Sequence, residues 1–318
     1  MRKVVVLSKE PNTFGYETEI FKQLGDVEFI ISPATLEDDV IEAIRDAEVV
    51  LFTATKMNER VISSLEKCKL IIRYGIGYDN VDLSAAANRG IYVCNAPNYG
   101  VVDVAEHALS LIFAVAKKTV HMHERAKSGV WGPGMPPFLR LAGKTIGFVG
   151  FGNIGKALCK MTMGLSMKAL VYDPYISEDA VRACGAEKVE LDDLLENSDF
   201  VSLHLPLNES TRHSIGMEHF AKMKKGAIFI NTSRGPIVNE IEMIEALEQN
   251  MIAGAGLDVF EDETKPLDPR LTSCLNVVLT PHVAWNTDAA VTAIHEEVGD
   301  NIVRYFKGER PNSIVNKL

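Results

Sequence analysis

The sequence predicts an α/β protein built as two doubly wound blocks, and three observations lead there. Short apolar runs recur along most of the chain, amphipathic stretches of helical period separate them, and the pattern restarts after a long apolar helix near the middle. Apolar runs without polar alternation mark parallel strands covered on both faces. A chain of 318 residues, 47% of them hydrophobic, holds enough apolar material to bury two cores.

The elements follow in order. Residues 4–7, 27–31, 49–52, 70–73 and 91–93 read as strands, with helical stretches such as 36–45 and 58–66 between them. This block ends near Asn95-Ala96-Pro97-Asn98. A helix is expected over 102–118, because Val104, Ala108, Leu111, Ile112 and Val115 recur at helical spacing. Asp103 and Glu106 in its first turn and Lys117 and Lys118 in its last complement the helix dipole. The glycines and prolines of 131–137 predict a loop. Strands at 145–149, 169–172, 200–205, 227–230, 256–259 and 277–279 then make a second, six-stranded doubly wound sheet. An amphipathic helix over 288–307 closes the chain.

Composition excludes several functions. A net charge of −10 lacks the basic footprint that phosphate backbones require, so no nucleic-acid partner is expected. The apolar run in MRKVVVLSKE is a few residues long, a first strand rather than a signal-peptide core. The most apolar stretch, 105–116, is interrupted by Glu106 and His107 and falls short of a membrane span. Cys68, Cys94, Cys159, Cys184 and Cys274 make no CxxC pair and no zinc spacing, so no metal is expected. Reduced thiols suit a cytoplasmic enzyme.

Gly150-Phe151-Gly152-Asn153-Ile154-Gly155 is a GxGxxG between the strand 145–149 and a helix over 156–163. Gly150 permits the tight turn, Gly152 admits a pyrophosphate against the backbone, and Gly155 lets the helix approach the strand. Asn153 and Ile154 open the helix, whose free N–H groups favour phosphate. Asp173 ends the next strand, where an acidic side chain grips the adenine ribose hydroxyls. It can equally serve only the turn Asp173-Pro174. A carboxylate there would repel a 2′-phosphate, so NAD is the expected cofactor and the second block a Rossmann-type domain. Gly143-Lys144-Thr145 lacks the upstream glycine of a P-loop and opens a strand.

Three titratable or charged residues follow late strands: Arg234 after 227–230, Glu263 after 256–259 and His282 after 277–279. Ligands of open α/β sheets bind outside these carboxyl ends. Reduction of a 2-oxo acid needs a planar cation for the carboxylate, a proton donor titrating near neutrality, and a carboxylate to orient that donor. Singly, Arg234 could be a surface residue, Glu263 a solvated member of an acidic run, and His282 a turn cap. At successive strand ends they support one another.

These motifs resemble the D-isomer-specific 2-hydroxyacid dehydrogenase family over essentially the whole chain. The matching segments are the GxGxxG, Asn231-Thr232-Ser233-Arg234-Gly235, Leu257-Asp258-Val259-Phe260-Glu261-Asp262-Glu263, and Thr280-Pro281-His282. Arg73-Tyr74-Gly75-Ile76-Gly77-Tyr78-Asp79-Asn80-Val81-Asp82 resembles the family's substrate-carboxylate loop. The resemblance implies catalytic Arg234, Glu263 and His282. It implies a flavodoxin-like substrate domain from residues 1–98 and 283–318, interrupted by a NAD domain over 99–282. Backbone N–H groups of Ile76 and Gly77 would bind the substrate carboxylate. Thr232, Ser233 and Asp258 would lie near the cofactor. Members pair as homodimers, with the helix over 102–118 in the interface region.

Val283-Ala284-Trp285 departs from the Gly-Ser or Gly-Ala that many members carry after the histidine. Trp285 resembles the glycerate dehydrogenase (hydroxypyruvate reductase) branch and the NADH-sensing co-repressors. It would cap a pocket for hydroxypyruvate, glyoxylate or pyruvate, or stand as a core or interface aromatic. Phosphoglycerate and D-lactate dehydrogenase activities, or an NADH-sensing co-repressor-like binding protein on the same fold, are the alternatives. A chain ending at Leu318 leaves no room for the extra regulatory domain usual in phosphoglycerate dehydrogenases.

Overall fold

The computed structural model describes residues 2–132, 134 and 137–318; Pro133, Met135 and Pro136 of the expected loop lie outside the described residues. The chain divides into two compact units, Met1–Gly100 with Asn286–Leu318, and Val101–Trp285.

The first unit holds five parallel strands: β1 (Arg2–Leu7), β2 (Val27–Ser32), β3 (Val49–Phe52), β4 (Leu70–Arg73) and β5 (Tyr92–Cys94). Their order is β2-β1-β3-β4-β5, the flavodoxin-like arrangement. Val4, Val5, Val6 and the whole of β3 are fully buried, as strands covered on both faces must be. Phe14, Phe21, Ile294, Val298 and Ile302 form one core layer, bringing the helices Gly15–Leu24 and Asp288–Phe306 onto that face. The C-terminal segment is tied in by Asn316, whose Oδ1 accepts from Val93 N–H at 2.9 Å and whose Nδ2 donates to Ile91 O at 2.8 Å.

The second unit holds seven parallel strands: β6 (Thr145–Val149), β7 (Lys168–Tyr172), β8 (Glu187–Lys188), β9 (Phe200–Leu203), β10 (Ile228–Asn231), β11 (Gly254–Leu257) and β12 (Val277–Leu279). Their order, β12-β11-β10-β9-β6-β7-β8, is the Rossmann pattern extended by one strand. Phe148, Phe151, Leu158 and Ile230 are fully buried in the layer shared with the helix Val101–Lys117.

Four details differ from the sequence reading. The polar, two-residue β8 carries no apolar signal and was not expected. Lys118 is left-handed at φ 51°, which ends the helix Val101–Lys117 where expected, but a second, Thr119–Lys127, follows that the sequence reading lacks. β9 stops at Leu203, before Leu205-Pro206, because proline has no N–H for a ladder. β11 runs two residues earlier than the apolar pattern suggests, releasing Asp258 and Val259 from the ladder.

Candidate active site

The cofactor half begins where β6 ends. Gly150 has φ 88°, and a Cβ there would stand 2.6 Å from the carbonyl oxygen of His204. Only glycine makes that turn at that distance. The helix Asn153–Met163 starts at Gly152 with no side chain capping it. Gly152 is exposed, with nothing within 4 Å of where a Cβ would lie. An uncapped helix start beside open space is a cradle for an anion, with the N–H groups of Asn153, Ile154 and Gly155 in its first turn.

Asp173, after β7, is half-buried; Oδ2 accepts from Phe151 N–H and Oδ1 from Tyr175 N–H, both at 2.9 Å. The structure shows the local turn at this residue and, beyond it, a tie to the glycine loop. Thr232, after β10, has a buried Oγ1 without a hydrogen-bond partner among the described residues. Such an atom awaits a ligand. Ser233 differs, since its hydroxyl donates to Leu203 O at 2.6 Å and its N–H to Asn231 Oδ1 at 3.0 Å. Beneath the loop, His204 lies 2.9 Å from Ser202 Oγ and stacks on Phe148, and desolvation of its ring lowers its pKa to about 4. The floor of the cradle is therefore neutral. The glycine turn, the uncapped helix, the fixed Asp173 and the orphaned Thr232 hydroxyl together fit a dinucleotide.

The catalytic half lies at the carboxyl ends of β10 to β12. A Cβ on Gly235 would fall 1.9 Å from the backbone of Phe260, so this glycine lets the Arg234 segment lie against the loop that carries Glu263. Asn231 Nδ2 donates to Arg234 O at 3.0 Å and Arg234 Nη1 to Ser233 O at 2.8 Å. Glu263 Oε2 and His282 Nδ1 are 2.7 Å apart, with side chains 39% and 36% exposed. Burial pushes the Glu263 pKa up, but the hydrogen bond and charge of His282, the Phe260 N–H and the Arg234 charge outweigh it and hold it below the usual carboxylate range. The structure thus gathers Arg234, Glu263 and His282.

His282 is left-handed, at φ 55°. Its N–H donates to Asp258 O at 2.8 Å. The Asp258 carboxylate is fully buried; Oδ1 accepts from Val283 N–H at 3.0 Å and Thr280 Oγ1 at 2.5 Å, and Oδ2 from Ala284 N–H at 2.9 Å. Asp258 thus holds the histidine loop itself. His107, on the helix Val101–Lys117, joins the group with Nε2 2.9 Å from Thr280 Oγ1. It was not a candidate from sequence, although Glu106-His107 interrupting an apolar helix was the available signal. Trp285, half-buried, ends this unit.

Ile76 and Gly77 lie in the first unit, directly after β4 and partly exposed. Asn95 Nδ2 donates to Ile76 O at 2.7 Å and Ala96 N–H to Gly75 O at 3.1 Å, which pins this loop. No cluster of three metal-binding side chains occurs among the described residues.

Residues 109–284 match the family model described as D-isomer specific 2-hydroxyacid dehydrogenase, NAD binding domain. The chain is 38% identical over 283 residues to a glyoxylate reductase of Korarchaeum cryptofilum, covering 87% of this chain and 85% of that protein. It is 37% identical over 300 residues to a D-3-phosphoglycerate dehydrogenase of Methanocaldococcus jannaschii, covering 94% of this chain but only 57% of that longer protein. The crystal structure of a glyoxylate reductase from Paecilomyes thermophila superposes with a TM-score of 0.91 at 26% identity, covering 99% and 98% of the two chains. The fold, the NAD-binding domain and these similarities establish that the chain belongs to the D-isomer-specific 2-hydroxyacid dehydrogenase family, NAD-dependent oxidoreductases acting on 2-hydroxy and 2-oxo acids.

Proposed function

We propose that this dehydrogenase reduces short 2-oxo acids of the glyoxylate and hydroxypyruvate type to the D-2-hydroxy acids. His282 serves as general acid, Glu263 as its partner and Arg234 as the carboxylate clamp. The observation that carries this is the 2.7 Å bond between His282 Nδ1 and Glu263 Oε2. With Nδ1 committed, Nε2 is the nitrogen left to hand a proton to the substrate oxygen. Arg234 offers the planar fork that fixes a carboxylate and so aligns C2. Bound NADH supplies the hydride.

Ile76 and Gly77 bind the substrate carboxylate with backbone N–H groups, which makes the first unit the substrate domain. Asp173 takes the adenine ribose hydroxyls, and Thr232 gives its free hydroxyl to the cofactor. Trp285 caps the side-chain end of the pocket, where a rigid indole limits substrate volume. The relative named glyoxylate reductase supports a short substrate. The enzyme works as a homodimer in the cytoplasm. Exposed Val102, Phe113 and Val120 on the helices Val101–Lys117 and Thr119–Lys127 support the first point. The second is supported by five unpaired cysteines, three of them buried.

The test is a kcat/KM series with NADH over glyoxylate, hydroxypyruvate, pyruvate, 3-phosphohydroxypyruvate and branched 2-oxo acids, for wild type and Trp285→Ala. Glyoxylate and hydroxypyruvate lead in the wild type. The variant shifts toward bulkier acids by about 10–200-fold per excess group. A preference for 3-phosphohydroxypyruvate or pyruvate, or parallel profiles for the two proteins, overturns the substrate assignment.

A further inference from the structure

We propose that His107 is a positioning residue for His282, acting through Thr280 and Asp258. The inference rests on the reading of His282 as general acid. A non-glycine residue in the left-handed region is strained, so neighbours must hold the φ of 55° at His282. Asp258 does so, because the N–H groups of His282, Val283 and Ala284, three in succession, converge on it.

Proton accounting then assigns the role of His107. The Thr280 hydroxyl has one proton and lies 2.5 Å from Asp258 Oδ1 and 2.9 Å from His107 Nε2. A carboxylate only accepts, so the Thr280 proton points at Asp258. The His107 contact must therefore run the other way, from Nε2–H to Thr280 Oγ1. Nε2 is also 3.5 Å from Asp258 Oδ1, so the same N–H faces the carboxylate. The result is a directed chain, His107 to Thr280 to Asp258, ending on the residue that holds the histidine loop. It runs from a helix embedded in the core to a loop at the edge of the sheet. A buried carboxylate with a fixed set of donors keeps one geometry, and removing one donor frees the hydroxyl to turn away. His282 then loses aim while the glycine loop, which binds the dinucleotide, is untouched.

The experiment compares His107→Leu and His107→Gln in the full-length enzyme, because Gln Nε2 can replace the imidazole Nε2–H donor and Leu cannot. Turnover of glyoxylate at saturating NADH, the NADH Kd and the melting temperature are measured for each. The expected result is a kcat loss on the order of tenfold in the Leu variant with NADH Kd unchanged, and recovery of most of that loss in the Gln variant. Thr280→Val cuts the same chain from its other side and should reproduce the kcat loss if His107→Leu folds poorly. Wild-type kcat in both Leu and Val variants overturns the inference, and so does a Gln variant as impaired as Leu. His282→Gln is run beside them. If that variant alone is inactive while Leu and Val are not, only the positioning role fails. If it too is active, the reading of His282 as general acid fails.

Discussion

His282 and Glu263 each expose roughly a third of their side chains, and pairs that open to water add little stability. What their 2.7 Å bond supplies is direction. Glu263 is held below the usual carboxylate range, partly by the hydrogen bond and charge of His282, so it stays anionic beside the imidazole. On the proposed mechanism reduction draws its proton from His282, so activity is expected to fall as pH rises. Replacing Glu263 with Gln removes the negative charge, and the alkaline limb of kcat/KM should move to lower pH. A limb that stays in place separates Glu263 from the proton donor. Arg234 makes a second demand at this scale. Lysine keeps its charge but replaces the planar fork with a point, so Arg234→Lys should lose both KM and kcat, about 100-fold or more in kcat/KM. A near-wild-type ratio in that variant takes Arg234 out of the carboxylate site.

At the scale of elements, the two edges of the larger sheet do different work. The carboxyl edge carries the reactive residues, and the opposite edge carries a staple. Asp199 enters β9 there; its Oδ2 accepts from Thr145 N–H at 2.9 Å, and Oδ1 lies 3.3 Å from Lys144 Nζ and 3.6 Å from Lys224 Nζ. Burial pushes the Asp199 pKa up, but the Thr145 N–H and the two lysines more than offset it, and the net shift is downward. A depressed carboxylate stabilises above its unfolded pKa, near 4, and that contribution is lost as pH falls through the lower folded value. Asp199→Asn should therefore lower the melting temperature at pH 7 by an amount equivalent to about 1 kcal/mol, with the difference shrinking below pH 4 and kcat unchanged. An equal loss at pH 7 and at pH 3 shows that packing, not charge, carries the effect. Strand positions were legible because β3 and β12 are unbroken apolar runs, and β4 and β6 are apolar but for Arg73 and Thr145 at their ends. β8 was not, since an edge strand of Glu187-Lys188 has the composition of a loop. The helix Thr119–Lys127 was hidden too, because none of its residues is buried and it carries no apolar stripe.

On the scale of the whole molecule, the strand orders explain why a sequence reading could reach the site at all. In a parallel sheet every strand's carboxyl end lies on one edge, so Arg234, Glu263 and His282, distant in sequence, had to emerge on that edge. The glycine loop was legible for the same reason, being the first such turn of its sheet. The supporting shell was not legible. Asp258 follows an apolar strand as a cofactor-contacting carboxylate would, and only the structure shows its oxygens folded back onto Val283, Ala284 and Thr280. His107 sits more than a hundred residues from its partner, and no local pattern links them. On the proposed mechanism one imidazole delivers the proton while the glycine-loop unit independently binds the cofactor. The direct measurement is NADH-dependent reduction of glyoxylate by wild type and His282→Gln, with NADH Kd measured on both. The account predicts an unchanged Kd and a kcat lower by about 10²–10⁴-fold. A His282→Gln enzyme that binds NADH normally and turns over within a few-fold of wild type would contradict it.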